Sequence, residues 1–259
     1  MFRKTNILMK TKSFNWVRVI IAGLMFVQMP ILIAANKKAA DIVPNRKATH
    51  SFSEENVSEK ADDLYASMNL NQEGLSRDAF LKAWQGYNQL TNEGIQSREH
   101  IITIADFSQP STRKRLFVID LDARQIIHKS LVAHGKNSGL LYANSFSNKP
   151  ETNKSSLGFY LTMNTYSGEH GLSLRLKGLE KNINDKAYER AIVMHGANYV
   201  SESFAEKNGF LGRSLGCPAI PDALAKPIIQ SIKNGTVLFI YHPEKTYTKK
   251  SPVLKVVQS

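Results

Sequence analysis

The chain has 259 residues, 42% hydrophobic and 22% charged, which excludes a polytopic membrane protein, a collagen-like chain and a fully disordered one. Its net charge is +12, but residues 1–35 carry +5 and residues 245–259 carry +4, so residues 36–244 carry only +3. A protein that reads nucleic acid needs its basic surface on the folded body, so this distribution disfavours nucleic-acid binding.

The first 35 residues have the features of a secretory signal. Residues 1–18 are basic, residues 19–35 are mainly apolar, and Ala34 and Ala35 are small residues at its end, which is typical of a signal peptide. The apolar run is short for a transmembrane helix, which needs about 20 apolar residues, yet an uncleaved N-terminal anchor stays open as the alternative. In both cases we expect the body to be exported to the periplasm or cell envelope, with membrane contact only if the segment is uncleaved.

A polar, basic linker over residues 36–52 is predicted to lead into a helical pair over residues 53–98. Ser76 is a candidate N-cap for the second helix of the pair. Three aromatic residues recur at helical spacing along that helix: Phe80, Trp84 and Tyr87. We interpret them as a packing stripe against the body and not as a ligand platform.

From about residue 100 the apolar residues follow a period of two, which is typical of β-strands. Seven strands are predicted, at residues 101–105, 116–121, 125–133, 158–162, 172–176, 191–195 and 236–241. The short link at residues 122–124 predicts a hairpin between the second and third strands. One helix is predicted near residues 226–233, with Pro227 in its first turn, and residues 244–259 are expected to form a loosely held basic tail.

The chain contains one cysteine, Cys217, so it can form neither an internal disulfide nor a thiolate cluster for a metal. In an exported protein an unpaired cysteine indicates a reactive thiol or a small buried apolar side chain, and the count alone leaves both open. The seven histidines show no ligand spacing such as H-E-x-x-H. We therefore expect no metal site.

Cys217 and His195 are a candidate nucleophile and base. His195 ends a predicted strand beside Gly196, and Cys217 follows Gly216 in a turn. A thiol with a pKa of about 8.5 is mostly protonated at neutral pH, so a histidine within reach is needed to take its proton. Successive backbone N–H groups in such a turn can form an oxyanion hole. On these two residues alone, a buried cysteine and a hydrogen-bonded core histidine remain the alternative.

The pattern His195-Gly196 followed by Ser214-x-Gly216-Cys217 resembles the signature of murein L,D-transpeptidase catalytic domains of the YkuD type. Further stretches resemble one branch of this family, at residues 106–111, 132–135, 145–148, 155–159, 174–176 and 212–218. The resemblance implies a mainly β catalytic domain over residues 99–243, a YkuD-like β-sandwich with one packed helix. With the helical segment at residues 53–98, the expected class is α+β overall.

The resemblance also implies an activity: a peptidoglycan L,D-transpeptidase that forms 3→3 cross-links through a Cys acyl-enzyme, with loss of the terminal D-Ala of a stem peptide. By position, it implies Cys217 as nucleophile, His195 as general base and the N–H groups of Gly216 and Cys217 as oxyanion candidates. Ser214 would shape the turn and orient His195. The family's reaction requires no cofactor.

The chain departs from the commoner motif of the family at two positions. Leu215 stands where a histidine is common, and Ala219 where an arginine or asparagine is common. Four other residues are candidates for binding the stem peptide: His134, His170, Arg175 and Arg213. Arg213 is favoured for a stem carboxylate, which an arginine can bind through two hydrogen bonds, whereas a surface ion pair is expected for Arg190.

Two other functions stay open. A carboxypeptidase or endopeptidase would use the same residues on the same stems with water as acceptor, and only the exclusion of water from the cleft separates it from a transpeptidase. A non-catalytic cell-wall binding protein would use the helical pair as a docking module and leave Cys217 inert.

Overall fold

The computed structural model of the protein describes residues 54–98 and 100–255, which lie in one compact unit of residues 50–259. The signal peptide or anchor predicted for residues 1–35 and the linker predicted for residues 36–52 lie outside the described residues. Among residues 54–98 and 100–255, no helix is both long enough and apolar enough to cross a membrane.

The predicted helical pair is present as α1 (Glu54–Ser67) and α2 (Arg77–Asn92). The aromatic stripe of α2 is buried, with Phe80, Trp84 and Tyr87 exposed by 1%, 6% and 7% respectively, so the packing role is confirmed. Ser76 occupies the N-cap position with an extended backbone, but its side chain makes no capping hydrogen bond.

Eight strands form one mixed sheet: β1 (Ile101–Asp106), β2 (Leu116–Asp120), β3 (Gln125–Ser130), β4 (Gly158–Gly168), β5 (Gly171–Gly178), β6 (Val193–Ala197), β7 (Ala219–Pro221) and β8 (Val237–Tyr241). Their order is β3-β2-β1-β8-β4-β5-β6-β7. Only the β1–β8 and β6–β7 pairs are parallel. Every predicted strand is found, and the hairpin between β2 and β3 is confirmed as an antiparallel pair.

The expected β-sandwich is not confirmed, because hydrogen bonds join all eight strands into a single sheet. Beyond the end of β3, Ala133 forms a bridge with Ala219 of β7. The two edge strands of the sheet thus approach each other, and the sheet nearly closes on itself. This closure gives the edges hydrogen-bond partners within the chain.

Three helices follow the pair: α3 (Glu202–Asn208), α4 (Asp222–Ile232) and α5 (Lys245–Lys250), so the prediction of one packed helix was wrong. The predicted helix corresponds to α4, but α4 begins four residues earlier and holds Pro227 in its interior. A proline there costs about 3 kcal/mol. Burial of Ile228, Ile229 and Ile232, each 0% exposed, offsets this cost, since each such side chain stabilises by about 1.5–3 kcal/mol.

The described part of the C-terminal segment, residues 244–255, is packed against the body and is not loosely held. Tyr247 of α5 is 4% exposed and Ser251 is 0% exposed. Both side-chain hydroxyls donate hydrogen bonds to the carboxylate of Glu180, which is itself fully buried. For residues 244–255 the expectation of a loosely held basic tail was therefore wrong, because basic composition does not reveal these buried contacts.

Candidate active site

Cys217 and His195 are both held at the β6–β7 pair of strands, at one edge of the sheet. The parallel pairing sets His195 opposite Ala219, so the turn that carries Cys217 enters β7 beside β6. The Cys217 sulfur accepts a hydrogen bond from the Val193 N–H at 3.5 Å. Val193 precedes His195 by two residues, or about 7 Å of strand. The fold therefore holds both candidate residues at β6, although α3 and its flanking loops separate them in sequence.

Cys217 is partly exposed while packing against the main apolar core. Its S–H group points to the carbonyl oxygen of Ala191, at 3.9 Å. Burial raises the pKa of the thiol, whereas the Val193 N–H and the Arg190 guanidinium act to lower it. The net direction is upward, so the sulfur is protonated at neutral pH and a base is required to activate it.

His195 has the proton arrangement that a base needs. Its Nδ1 lies 2.7 Å from the carbonyl oxygen of Gly196, and because a carbonyl oxygen only accepts, Nδ1 carries the hydrogen and Nε2 is left with a free lone pair. Burial lowers the pKa of the ring, as does His170, while the Gly196 carbonyl and Asp222 raise it. The net lowering keeps the imidazole neutral near pH 7.

No hydrogen bond joins the His195 ring to the Cys217 sulfur within the described part of the chain. Catalytic hydrogen bonds are often long or poorly aligned in a free enzyme and tighten when substrate binds.

The Ser214 side chain makes two hydrogen bonds within the turn that carries Cys217. Its hydroxyl donates to the Cys217 carbonyl oxygen at 2.6 Å and accepts from the Gly216 N–H at 3.0 Å. The Ser214 carbonyl oxygen accepts from the Lys136 N–H at 2.8 Å. Both groups of Ser214 are thus engaged away from His195, and the carbonyl oxygen of Gly196 orients the ring in their place.

The hydrogen bond to Ser214 also changes the expected oxyanion hole. The Gly216 N–H is occupied, so in this arrangement it is not available to a substrate oxygen. The Cys217 N–H makes no hydrogen bond within residues 54–98 and 100–255, which leaves it as the oxyanion candidate of the turn.

Gly216 is required by space and by conformation. Its φ angle is +129°, and a Cβ atom at this position would lie 2.9 Å from the carbonyl oxygen of Lys154. The hydroxyl of Ser155, the residue after Lys154, accepts a hydrogen bond from the Gly135 N–H at 3.0 Å and donates one to the Gly216 carbonyl oxygen at 3.2 Å. These hydrogen bonds join the loop before β4 (residues 131–157) to the turn that carries Cys217 (residues 214–218, the nucleophile turn). The sequence did not indicate this link.

His134 lies in the interior, and the expected substrate-binding role was wrong for it, since it is 0% exposed. The guanidinium of Arg115 donates to its Nδ1 at 2.8 Å, so Nε2 carries the hydrogen, which points to the Gly139 carbonyl oxygen at 3.3 Å. Burial and the charge of Arg115 lower the pKa of this ring to about 4. His134 is therefore a neutral structural residue.

The other three binding candidates make different contacts. His170, on the exposed turn between β4 and β5, stacks its ring on that of His195. Arg175 is paired with Val193 across β5 and β6, and its guanidinium lies over the ring of Tyr166 at 4.2 Å. The Arg213 side chain turns to the loop before β4, where it donates to the carbonyl oxygens of Lys136 and Gly139 at 3.3 Å and 3.2 Å.

Arg190 was expected on the surface in an ion pair, and this expectation was wrong. It is half-buried and makes no ion pair with any carboxylate that the structure describes. Its guanidinium instead donates hydrogen bonds to the loop before β4, and its charge acts on Cys217. Nothing in the spacing of the sequence signals this contact.

The arrangement holds the elements of acyl transfer: a partly exposed thiol, a neutral imidazole with a free nitrogen and an unengaged backbone N–H. Within the described ranges, no group of three or more His, Cys, Asp or Glu side chains is placed to hold a metal ion.

A family model described as the L,D-transpeptidase catalytic domain matches residues 71–241. No curated protein matches the sequence. Among solved structures, an L,D-transpeptidase from Mycobacterium smegmatis is 12% identical with a TM-score of 0.35, covering 55% of this chain and 59% of that one. The helical cell shape determining protein Pgp2 from Campylobacter jejuni is 15% identical with a TM-score of 0.35, covering 63% and 55% respectively. This chain thus spans less than two thirds of the length of each structure.

Proposed function

The chain belongs to the L,D-transpeptidase catalytic domain family, and we propose that it is a cysteine-dependent acyltransferase that forms 3→3 cross-links in peptidoglycan. One observation carries the proposal: the Cys217 sulfur accepts a hydrogen bond from the backbone N–H of Val193 in β6. Val193 lies two residues before His195, whose Nδ1 is bonded to Gly196 and whose Nε2 is free. A thiol and a neutral imidazole beside each other are the minimum set for nucleophilic acyl transfer.

In the first half-reaction the Cys217 sulfur attacks the carbonyl carbon of the amide after the third stem residue. His195 Nε2 takes the thiol proton and passes it to the leaving nitrogen, so the C–N bond breaks and D-Ala departs as a neutral amine. The stem is left as a thioester on Cys217. The unengaged Cys217 N–H is the proposed donor to the oxygen that becomes negative in this step.

In the second half-reaction the side-chain amine of the third residue of another stem attacks the thioester. His195 takes a proton from this amine and returns it to the sulfur as the C–S bond breaks. The thiol is regenerated and the new amide is the cross-link. Both steps balance without a metal or a cofactor.

We further propose which residues contact the stem peptide. Arg175 and Arg213 supply positive charge for the carboxylates of the stem, whereas His170 is proposed to orient the His195 ring on which it stacks. Leu215 is 64% exposed beside the nucleophile, and it offers an apolar contact where the commoner motif of the family has a histidine. Because peptidoglycan lies outside the cytoplasm, we propose that residues 1–35 export the protein.

The experiment is incubation of the purified protein with a disaccharide-tetrapeptide, followed by mass spectrometry of the products. The proposal predicts a dimer that lacks one D-Ala. A tripeptide as the only product would show that water is the acceptor, as in the carboxypeptidase alternative. The absence of both products would contradict the enzyme and favour a wall-binding protein, and the Cys217→Ala variant is the control that must form neither.

A further inference from the structure

Arg190 is fixed beside the nucleophile turn by three hydrogen bonds. Its Nη1 donates to the Ser147 carbonyl oxygen at 2.8 Å and to the Ser156 hydroxyl at 2.7 Å, and its Nη2 donates to the Lys154 carbonyl oxygen at 2.7 Å. All three acceptors lie in the loop before β4. The side chain therefore has one defined position, although the residue is only half-buried.

The guanidinium faces the turn that carries Cys217. A Cβ atom placed on Gly216 would lie 3.3 Å from Arg190 Nη2, so the cation is in contact distance of the residue that precedes the nucleophile. The chain that follows Arg190 also surrounds the sulfur, with the Ala191 carbonyl oxygen at 3.9 Å and the Val193 N–H at 3.5 Å. Ala191 has a φ angle of +53°, which reverses the chain between the two contacts.

Among the side chains that the structure describes, no carboxylate forms an ion pair with the Arg190 guanidinium. Its three hydrogen-bond acceptors are two carbonyl oxygens and a hydroxyl, all of them neutral. A cation whose neighbours do not neutralise it stabilises any negative charge that develops nearby, and more strongly where water is partly excluded. Two ionisable groups feel this charge, the Tyr160 hydroxyl and the Cys217 thiol, and of the two only Cys217 is partly exposed.

We propose that Arg190 is a positioning residue that stabilises the thiolate of Cys217 and holds the loop before β4 against the nucleophile turn. The inference rests on the proposed function, which makes Cys217 the nucleophile. The direction of the electrostatic effect agrees with it, because Arg190 acts to lower the pKa of a thiol that burial raises.

The test measures the ionisation of Cys217 and not the cross-linking reaction. The full chain has a single cysteine, so the rate of alkylation by iodoacetamide, followed by mass spectrometry across a pH range, reports this thiol alone. In Arg190→Gln we expect the midpoint of the rate profile to move to higher pH. We expect the thiolate fraction below the midpoint to fall about tenfold, the effect of losing one nearby opposite charge.

Two further variants separate charge from structure. Arg190→Lys keeps the charge, so its midpoint should stay nearer to that of the wild type. Arg98→Gln is the matched control, because it removes an equal charge from an exposed guanidinium that donates to the Lys233 carbonyl oxygen just after α4, and its midpoint should not move. An unshifted midpoint in Arg190→Gln, or equal shifts in the Gln and Lys variants, would overturn the proposal.

If Arg190→Gln does not fold, Ser156→Ala keeps the proposal open to refutation. This change removes one hydrogen bond that fixes the guanidinium and leaves its charge in place. We expect the midpoint of the alkylation profile to move to higher pH by less than in Arg190→Gln, and an unmoved midpoint would contradict the proposal. The alkylation result is also independent of the function. A shifted midpoint in a protein that forms no cross-links would refute the proposed function alone, and an unshifted midpoint in an active enzyme would refute this inference alone.

Discussion

The imidazole of His170 stacks on the imidazole of His195, with ring centroids 4.3 Å apart and planes inclined by 21°. His170 is exposed on the β4–β5 turn, whereas His195 is 2% exposed on β6. The stack restrains the face of the His195 ring, and the Gly196 carbonyl oxygen restrains its Nδ1 edge. The two contacts together fix the direction in which Nε2 points.

Replacing His170 with alanine should therefore lower kcat with little change in KM. A stacked aromatic pair is worth about 1 kcal/mol, so the loss should be at most about tenfold. His170→Phe keeps a ring without a titrating group and should restore most of the rate. Steady-state kinetics of the three proteins checks this, and a rise in KM at unchanged kcat would show that His170 binds substrate instead.

Loss of the base itself should be much more severe. His195→Ala removes the only group placed to take the thiol proton in the proposed mechanism, and we expect turnover to fall by at least about 10²-fold. Rates of D-Ala release measure the effect. A variant that keeps most of its turnover would require another base.

The acid limb of the pH–activity profile should lie below the ordinary histidine range. Burial holds the pKa of His195 below its usual value of 6.5, and the ring can accept a proton only when neutral. Activity should thus persist at pH 6.5 and decline as the pH falls through the lowered pKa. A profile of kcat/KM against pH tests this, and a decline already centred above pH 6.5 would contradict it.

Folding stability should fall in acid because of His134. Its pKa is lowered from 6.5 to about 4 in the folded protein, so between these values the unfolded chain binds a proton that the folded chain excludes. The stability present above pH 6.5 should then decline by about 3 kcal/mol as the pH reaches 4. His134→Gln should flatten this dependence in urea unfolding from pH 7 to pH 4, and an unchanged dependence would argue against the assignment.

The C-terminal segment should contribute to stability through Ser251. Its hydroxyl donates to the buried carboxylate of Glu180, and removing a donor from a buried acceptor costs about 1–3 kcal/mol. Urea unfolding of Ser251→Ala should show this loss. Ser167→Ala, at an exposed position on β4, is the control and should change stability by no more than about 0.5 kcal/mol.

Local patterns were enough to predict most of the fold. The period of two located seven of the eight strands, and the aromatic spacing of α2 identified its buried face. The three-residue strand β7 is too short to show a period, and its pairing with β6 depends on contacts far along the chain. The near-closure of the sheet through Ala133 and Ala219 is likewise invisible to local pattern.

Residue chemistry selected Cys217 and His195, and the fold places them at one edge of the sheet. Residue chemistry could not predict which side chains surround these two residues. Arg190 lies beside the nucleophile turn because three acceptors from the loop before β4 hold its guanidinium. His134 was predicted from the sequence to line the cleft, but it is buried and accepts a hydrogen bond from Arg115. Such contacts join residues that are far apart in the sequence, so they cannot be predicted from residue spacing or composition.

The central claim, that Cys217 carries the acyl group, is tested most directly by the intact mass of the protein during turnover of a tetrapeptide donor without an acceptor. We predict a mass increase equal to the donor minus D-Ala, located by peptide mapping on Cys217 and absent from Cys217→Ala. Cross-links formed by a protein that never shows this adduct, or an adduct on a different residue, would contradict the account.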